Sequence, residues 1–548
     1  MSKIVFVSDF FLEECLGGAE KCNDALINYL AENHSIEKKK SIEITTQFLS
    51  KRKDHFFIVA NFFFLSAEAK QYLSNNIKYI IYEHDHKYLL TNNPLLYKNF
   101  IAPENYVTNK QFYKGAKNVI CQSKLHASIV HRNLLLDNII NAGANFWSRE
   151  DLNFLESCMN TKKDIEYACM DTPNKNKGTH KAIAYCGKNN LALTPIPFMS
   201  YTNFIKKLAA VDKFIFLPQW VESYSRVAVE ARILGCKLLT NKLLGVASEE
   251  YFNLTGRDLL QKIEENNSVL LKKINMLIKG QKVKSNFTFE KIPKITISCS
   301  VYDGDKYIAH FLDDITKQTI FDKCELIIVN ANSPGDEEKV ILEYCEKYDN
   351  IKYHKLDYRA TTTEVINMVI DKLSTGEFIT VGNIDDRRKY NCLEIQAKHL
   401  LYNKDIDLVY GDCLQTKGVN ETFNRNTSDG ALYEHSEYEF SRENMIKCLP
   451  GPMPMWRKSI HKEVGLFSDE YNYANDWDMW LRMVDSGKSF MKINETLGLY
   501  LFNEDGRSTS KKHFKKKIKE ESRLFFSYKH IFGEKNFNLF KDYFSQGV

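Results

Sequence analysis

The sequence predicts an α/β protein built on parallel sheets, and three observations lead there. Short β-branched runs alternate with longer amphipathic stretches, the pattern of βα units. A second series of such runs starts abruptly after Lys294, and the 548 residues are too many for one hydrophobic core.

In the first half, strands are expected at residues 4–8, 56–60, 79–82, 118–121, 166–169, 214–217 and 237–240, with helices between them. One helix should begin after Gly17-Gly18 and another should run through residues 223–234. A lysine-rich polar patch, 279–294, ends in Pro293-Lys294 and marks the boundary. Beyond it the strand candidates read ITISCSVY, ELIIVNA, IKYHKL, EFITVGN and DLVYGD. Both halves read as nucleotide-binding units, yet their motifs differ, so the chain is a fusion and not a duplication.

Composition narrows the function. With 44% hydrophobic and 26% charged residues the chain is globular, and a net charge of +5 without a basic stripe excludes a nucleic-acid partner. The thirteen cysteines form no Cys-x-x-Cys pair, which speaks against zinc and for reduced thiols packed as small hydrophobes. A cytoplasmic protein without a signal peptide or membrane span is the expectation.

Motifs in the second half carry chemistry. The apolar run 378–381 ends in Gly382-Asn383-Ile384-Asp385-Asp386-Arg387. Carboxylates at the carboxyl end of a parallel strand face the crevice where such sheets bind ligands, and one or two of them with donor phosphates are the usual magnesium or manganese arrangement. Alone, the pair also reads as a polar turn. Further on, Asn475-Asp476-Trp477-Asp478-Met479-Trp480-Leu481-Arg482 suits a helix with Asp476 in its first turn. That carboxylate reads either as a general base for an acceptor hydroxyl or as a simple cap.

Together with residues 295–318, 325–333 and 451–458, these segments resemble the family 2 glycosyltransferases of GT-A fold, over roughly residues 294–510. The resemblance implies inverting transfer from a nucleotide sugar, with Asp476 as base and Asp385 holding a divalent cation, Mn or Mg. It implies donor contacts from Tyr302, Asn330, Asp386 and Arg507, with Arg387 as a further phosphate candidate. Two departures stand out: Asn330-Ala331 replaces the usual acids at the base-reading turn, and Asn383 replaces the first acid of the metal motif.

In the first half, Gly17-Gly18 at a helix start lets backbone N–H groups approach an anion, although a glycine pair alone also marks a plain turn. Neither a dinucleotide fingerprint nor a Walker loop is present, which counts against dehydrogenase and NTPase functions. Sharper is the segment 217–231, where Glu222 and Glu230 stand eight apart. With Glu222 in the loop after a strand, Ser223 opening the following helix and Glu230 about two turns down it, one acid would meet sugar hydroxyls and the other a ribose; two exposed glutamates are the bland alternative.

This segment resembles the E-x7-E element of family 4 glycosyltransferases of GT-B fold, and the wider likeness runs over residues 1–285. In that likeness Gly17 and Gly18 match the glycine loop, His84 a histidine at a strand end, and Lys177, in residues 175–182, the phosphate-binding cation. Implied is retaining transfer with no cofactor, with Glu222 catalytic and Gly17, Gly18, His84, Lys177, Ser223 and Glu230 binding the donor. The stretch is short for two Rossmann-type lobes.

From Lys511 a basic segment carries Phe514, Ile518, Phe525 and Phe526 at helical spacing. It reads as a helix docked on the transferase, or as one drawn to anionic lipid at the inner membrane face. The resulting expectation has four parts. Residues 1–290 are a GT-B-like pair of lobes, divided near 160, and 291–510 are a GT-A-like mixed α/β domain with a basic helical tail at 511–548. The whole is a bifunctional transferase using nucleotide-sugar donors on a glycan or lipid-linked glycan, with surface polysaccharide or glycolipid as the expected product. The alternative keeps catalysis in the GT-A module and leaves the first half as a binding domain.

Overall fold

A computed structural model of the chain describes residues 1–284, 287, 290–428, 430–432, 439–503 and 511–547. The chain is α/β throughout and divides into two compact units, Met1–Phe289 and Glu290–Val548.

The first unit holds two parallel sheets. One contains β1 (Lys3–Ser8), β2 (Ser35–Lys40), β3 (Phe56–Val59), β4 (Lys78–Tyr82), β5 (Val119–Cys121) and β6 (Ile139–Asn141), in the order β2-β1-β3-β4-β5-β6. Its central strands are apolar on both faces because helices cover both. Val5, Val7, Phe57, Val59, Tyr79 and Ile81 pack on one side, and Ile4, Phe6, Phe56, Ile58, Ile80 and Tyr82 on the other. The unanticipated β2 reads SIEKKK, an edge strand whose charged residues keep the open edge in water.

The other sheet contains β7 (Ile165–Met170), β8 (Leu193–Ile196), β9 (Val211–Phe216) and β10 (Lys237–Thr240), in the order β10-β9-β7-β8. Packing divides the lobes elsewhere than at residue 160. Trp147, Leu152 and Leu155 already belong to the core of this second sheet. The 23-residue helix Gly256–Ile278 then buries Leu259, Leu260 and Ile263 against the same core, and Leu270, Ile274 and Leu277 against the first sheet. One helix therefore ties both lobes together.

The second unit is built on a mixed nine-stranded sheet. Its strands are β11 (Ile295–Val301), β12 (Cys324–Asn330), β13 (Ile351–Lys355), β14 (Phe378–Val381), β15 (Arg387–Arg388), β16 (Leu408–Thr416), β17 (Ala431–Leu432), β18 (Met455–Arg457) and β19 (Phe490–Leu501). The order is β13-β12-β11-β14-β18-β16-β19-β15, with β17 beside β16. β11 to β14 run parallel, and β18 reverses direction against β14. The carboxy-terminal helices Phe514–Ser527 and Lys529–Phe544 are not an appendage: Ile518, Leu524, Phe525, Ile531, Phe532 and Phe544 share one core with Trp477 and Trp480.

Candidate active sites

Parallel strands bring their following loops to one edge, which is where a ligand meets the sheet. In the first unit the loops after β1, β4, β7, β8 and β9 surround one cavity of about 410 Å³. Gly17, Gly18, His84, Lys177, Glu222, Ser223 and Glu230 all line it.

Gly17 is the N-cap of the helix Gly18–Ala31, so the helix start lies at the cavity wall, with the Glu20 carboxylate against Gly17. From the other sheet, Lys177 Nζ donates to both oxygens of Glu222, at 2.8 and 3.1 Å. Lys177 is placed by Gly178, at φ +76°, where any Cβ would stand 1.8 Å from the Leu217 carbonyl oxygen. Only glycine lets this loop lie against the end of β9.

Two helix expectations need correction. The helix expected over 223–234 spans only Arg226–Ile233, so Ser223 lies three residues before it and does not open it. The cause is Ser225, held at φ 85° and ψ 95°, a conformation outside the helical region. Glu230 accordingly sits about one turn into the helix, not two. It is 3% exposed, and its Oε1 accepts from Trp147 Nε1 and Tyr201 Oη, each at 3.0 Å, with Arg226 at 3.6 Å.

His84 is buried at the end of β4 with both ring nitrogens engaged. Gln122 Nε2 donates to Nδ1 at 2.6 Å, and Nε2 donates to Asn23 Oδ1 at 2.7 Å. Burial, reinforced by the Lys87 charge, lowers its pKa to about 3, so the ring stays neutral. Sequence reading missed Lys21, which spans the lobes: its Nζ donates to Asp151 at 3.1 Å and lies 3.3 Å above the Tyr201 ring. No local pattern marks Lys21, Trp147, Tyr201 or Arg226, since their partners are distant in sequence.

In the second unit the loop after β14 carries Asp385 and Asp386, with different fates. Asp386 was expected to touch the donor but is turned inward. Its Oδ2 accepts from Asn383 Nδ2 at 2.9 Å and its Oδ1 from the Leu501 N–H at 3.2 Å. Burial and the neighbouring Asp385 charge push its pKa up to about 7. Asp385 remains half-exposed; burial raises its pKa, opposed by Arg387 and Lys306. Arg387 is itself buried, donating to the Ile384 and Asp386 carbonyls and to Asn420 Oδ1, so it is spent on the loop.

Asn330, expected to read a base, is 2% exposed; its Oδ1 accepts from the Ser333 N–H at 2.8 Å and its Nδ2 donates to Tyr353 Oη at 3.0 Å. It caps the turn after β12 instead of presenting its amide to a ligand. Tyr302 is exposed, with the Arg359 guanidinium 4.0 Å from its ring. Arg507 lies outside the described residues.

Asp476 stands in the first turn of the helix Asn475–Asp485. Its Oδ1 accepts from the Trp477 N–H at 2.8 Å, and Cys448 Sγ donates to Oδ2 at 3.7 Å. Desolvation by the surrounding protein raises its pKa, opposed by the Trp477 N–H and the Cys448 thiol, and the side chain is open to solvent. The loop from Cys448 to Pro454 links both motifs, because Asn383 Nδ2 donates to the Pro452 carbonyl at 3.4 Å and Thr380 Oγ1 to that of Pro454 at 2.7 Å.

Among the described residues no group of three His, Cys, Asp or Glu could hold a metal ion unaided. The residues present nevertheless fit a divalent cation that arrives with its donor. Asp385 supplies one accessible carboxylate and Asn383 a neutral amide oxygen, leaving the remaining positions to phosphates and water. A larger cavity, about 540 Å³, lies at the start of β14 between Thr375 and Lys462, on the edge opposite these loops.

Residues 296–465 match the model of Glycosyl transferase family 2, and Asp476 lies beyond the matched stretch. An uncharacterised glycosyltransferase of Methanocaldococcus jannaschii is 22% identical over 209 residues, covering 38% of this chain and 70% of that protein. One of Rickettsia typhi is 25% identical over 206 residues, covering 35% and 59%. Among solved structures, S. aureus TarS gives a TM-score of 0.33 at 15% identity, covering 42% of this chain and 39% of its own. The mannosyltransferase PcManGT of Pyrobaculum calidifontis, solved with GDP-Man and Mn2+, gives 0.35 at 14% identity, covering 43% and 64%. The second unit of this chain carries a glycosyl transferase family 2 domain over residues 296–465.

Proposed function

We propose that the chain is a bifunctional glycosyltransferase in which each unit moves a sugar from a nucleotide-sugar donor to a glycan or lipid-linked glycan. For the second unit the support is the family 2 match, with Asp476 at the start of its helix and Asp385 at the end of β14. In this reading Asp476 takes the proton of an acceptor hydroxyl as that oxygen attacks the donor's anomeric carbon, giving inversion. Its helix start stabilises the carboxylate, and the Cys448 thiol and Trp477 N–H hold both oxygens. A divalent cation held at Asp385 and Asn383 would supply positive charge beside the departing diphosphate. Lys306 and Arg387 add protein charge to the same loop.

For the first unit, the single observation that carries the reading is the cavity shared by Gly17, Gly18, Lys177, Glu222, Ser223 and Glu230. We read the unit as a GT-B-like pair of lobes performing metal-free, retaining transfer. The Gly18–Ala31 helix start and Lys177 meet the leaving diphosphate, which then competes with Glu222 for the lysine. One observation favours the alternative, a binding domain without turnover: Glu230 Oε1 is already engaged by Trp147, Tyr201 and Arg226.

The free thiols suit a reducing, cytoplasmic setting. Among the described residues no helix is long and apolar enough to cross a membrane. The exposed Lys515, Lys516 and Lys519 are the surface that would meet anionic lipid carrying the acceptor, as in surface-glycan synthesis. The test measures nucleoside diphosphate released from a donor panel by the parent, Glu222→Ala and Asp476→Asn chains. Two activities predict that each substitution removes turnover with a different donor; a Glu222→Ala chain identical to the parent on every donor contradicts it.

A further inference from the structure

The helix that bears Asp476 starts badly on its own account. Its N-cap is Ala474, which makes no side-chain cap hydrogen bond, and alanine is among the poorest residues for that position. The backbone N–H groups of the preceding turn, residues 472–474, all donate to one side chain. That side chain comes from the carboxy-terminal helix Phe514–Ser527. Glu520 Oε2 accepts from the N–H groups of Asn472 at 3.0 Å, Tyr473 at 2.7 Å and Ala474 at 3.1 Å, and Oε1 also accepts from Asn472 at 3.0 Å. An anion thus sits at the start of the base helix, where the dipole favours it.

Other contacts converge on the same turn. Arg523 donates to Glu470 at 2.8 Å, and Tyr473 Oη lies 3.1 Å from His513 Nδ1. Trp477, the residue after Asp476, stacks on Phe532 and Phe544 with ring centroids 6.2 and 5.9 Å away. The pair Lys517–Glu521, 3.7 Å apart on the next turn of the tail helix, lies within electrostatic reach of Asp476. All of these tail residues lie outside the family match at 296–465.

We propose that the carboxy-terminal helix is a positioning element of the second transfer site, with Glu520 as the positioning residue that fixes the turn before Asp476. The inference rests on Asp476 being the base. Glu520 touches neither donor nor acceptor in this role; it acts by holding the carboxylate in line with the attacking hydroxyl. Loss of such alignment costs rate and leaves donor binding alone.

The test uses the full chain carrying Glu222→Ala, so that only the second unit's turnover is read. Glu520→Gln, which keeps the shape but removes the charge, is expected to lower kcat by about 10- to 100-fold with donor KM unchanged. Glu520→Asp restores most of that loss, and Ser527→Ala, exposed at the end of the same helix, leaves turnover at the parent level. In an Asp476→Asn chain the Glu520→Gln change costs no further rate, because the group it positions has gone. The proposal is overturned if Glu520→Gln lowers the melting temperature while kcat holds, or if it costs the same factor with and without Asp476. Parental turnover by Asp476→Asn alone would instead remove the base assignment.

Discussion

At Gly178 a single missing side chain shapes the first cavity. With φ +76° and the Leu217 oxygen 1.8 Å from any Cβ, Gly178→Ala must both strain the backbone and push the loop off β9. We expect a loss of about 2 kcal/mol or more in urea unfolding, together with weaker donor binding as Lys177 moves. An unchanged midpoint would mean that the loop is not held there. In the second unit, Asp385 is the sole accessible carboxylate of its loop, so metal should bind with the nucleotide and hardly without it. Electron paramagnetic resonance of Mn2+ should show little binding to the chain alone, clear binding with a nucleoside diphosphate present, and loss of that signal in Asp385→Asn. Tight Mn2+ binding to the nucleotide-free chain would contradict the single-carboxylate arrangement. At this scale contiguous motifs single out Lys177 and Glu222, which line one cavity. They mislead where a side chain turns inward: Asp386 and Asn330 carry the right chemistry, but each is consumed by backbone N–H groups that only the folded turn brings near.

Among elements, the ends of β4 and β5 bury an unusual set of rings. His84, His86 and His126 are at most 5% exposed, and burial lowers all three pKa values, to about 3 for His84 and about 4 for His126. The unfolded chain binds protons below about pH 6.5 and the folded one does not until far lower, so these residues withdraw stability as pH falls through that window. His84 and His126 each contribute a loss of about 2 kcal/mol between pH 6.5 and 5, and little above pH 6.5. Urea midpoints measured from pH 8 to 5 should fall on the acid side, less steeply in His126→Gln; an identical pH slope would show that His126 is protonated in the fold. Most strands were visible as apolar runs, since burial on both faces demands them. β2 was not, because its lysines keep an edge in solvent, and β6 has only three residues. The helix start at Arg226 was misplaced because nothing in Ser223-Tyr224-Ser225 announces a positive φ. The role of the tail was hidden for a related reason: Glu520 is one acid among many until the fold sets it beneath Ala474.

For the whole molecule, the break near residue 290 separates two units with different chemical equipment. The first gathers Lys177, Glu222 and a helix start in a cavity between its lobes, and the second sets Asp385 on a loop and Asp476 in the first turn of a helix, both tied to residues 448–454. If both units work as proposed, they differ in stereochemical outcome, the second inverting with Asp476 as base and the first retaining. The deciding measurement is the anomeric configuration of the product by NMR, using chains that carry one substitution each. Asp476→Asn, with only the first unit working, should yield a product that retains the donor's configuration, whereas Glu222→Ala should yield an inverted one. A single configuration from both chains, or no product at all from Asp476→Asn, would contradict the claim that two transferases share this chain.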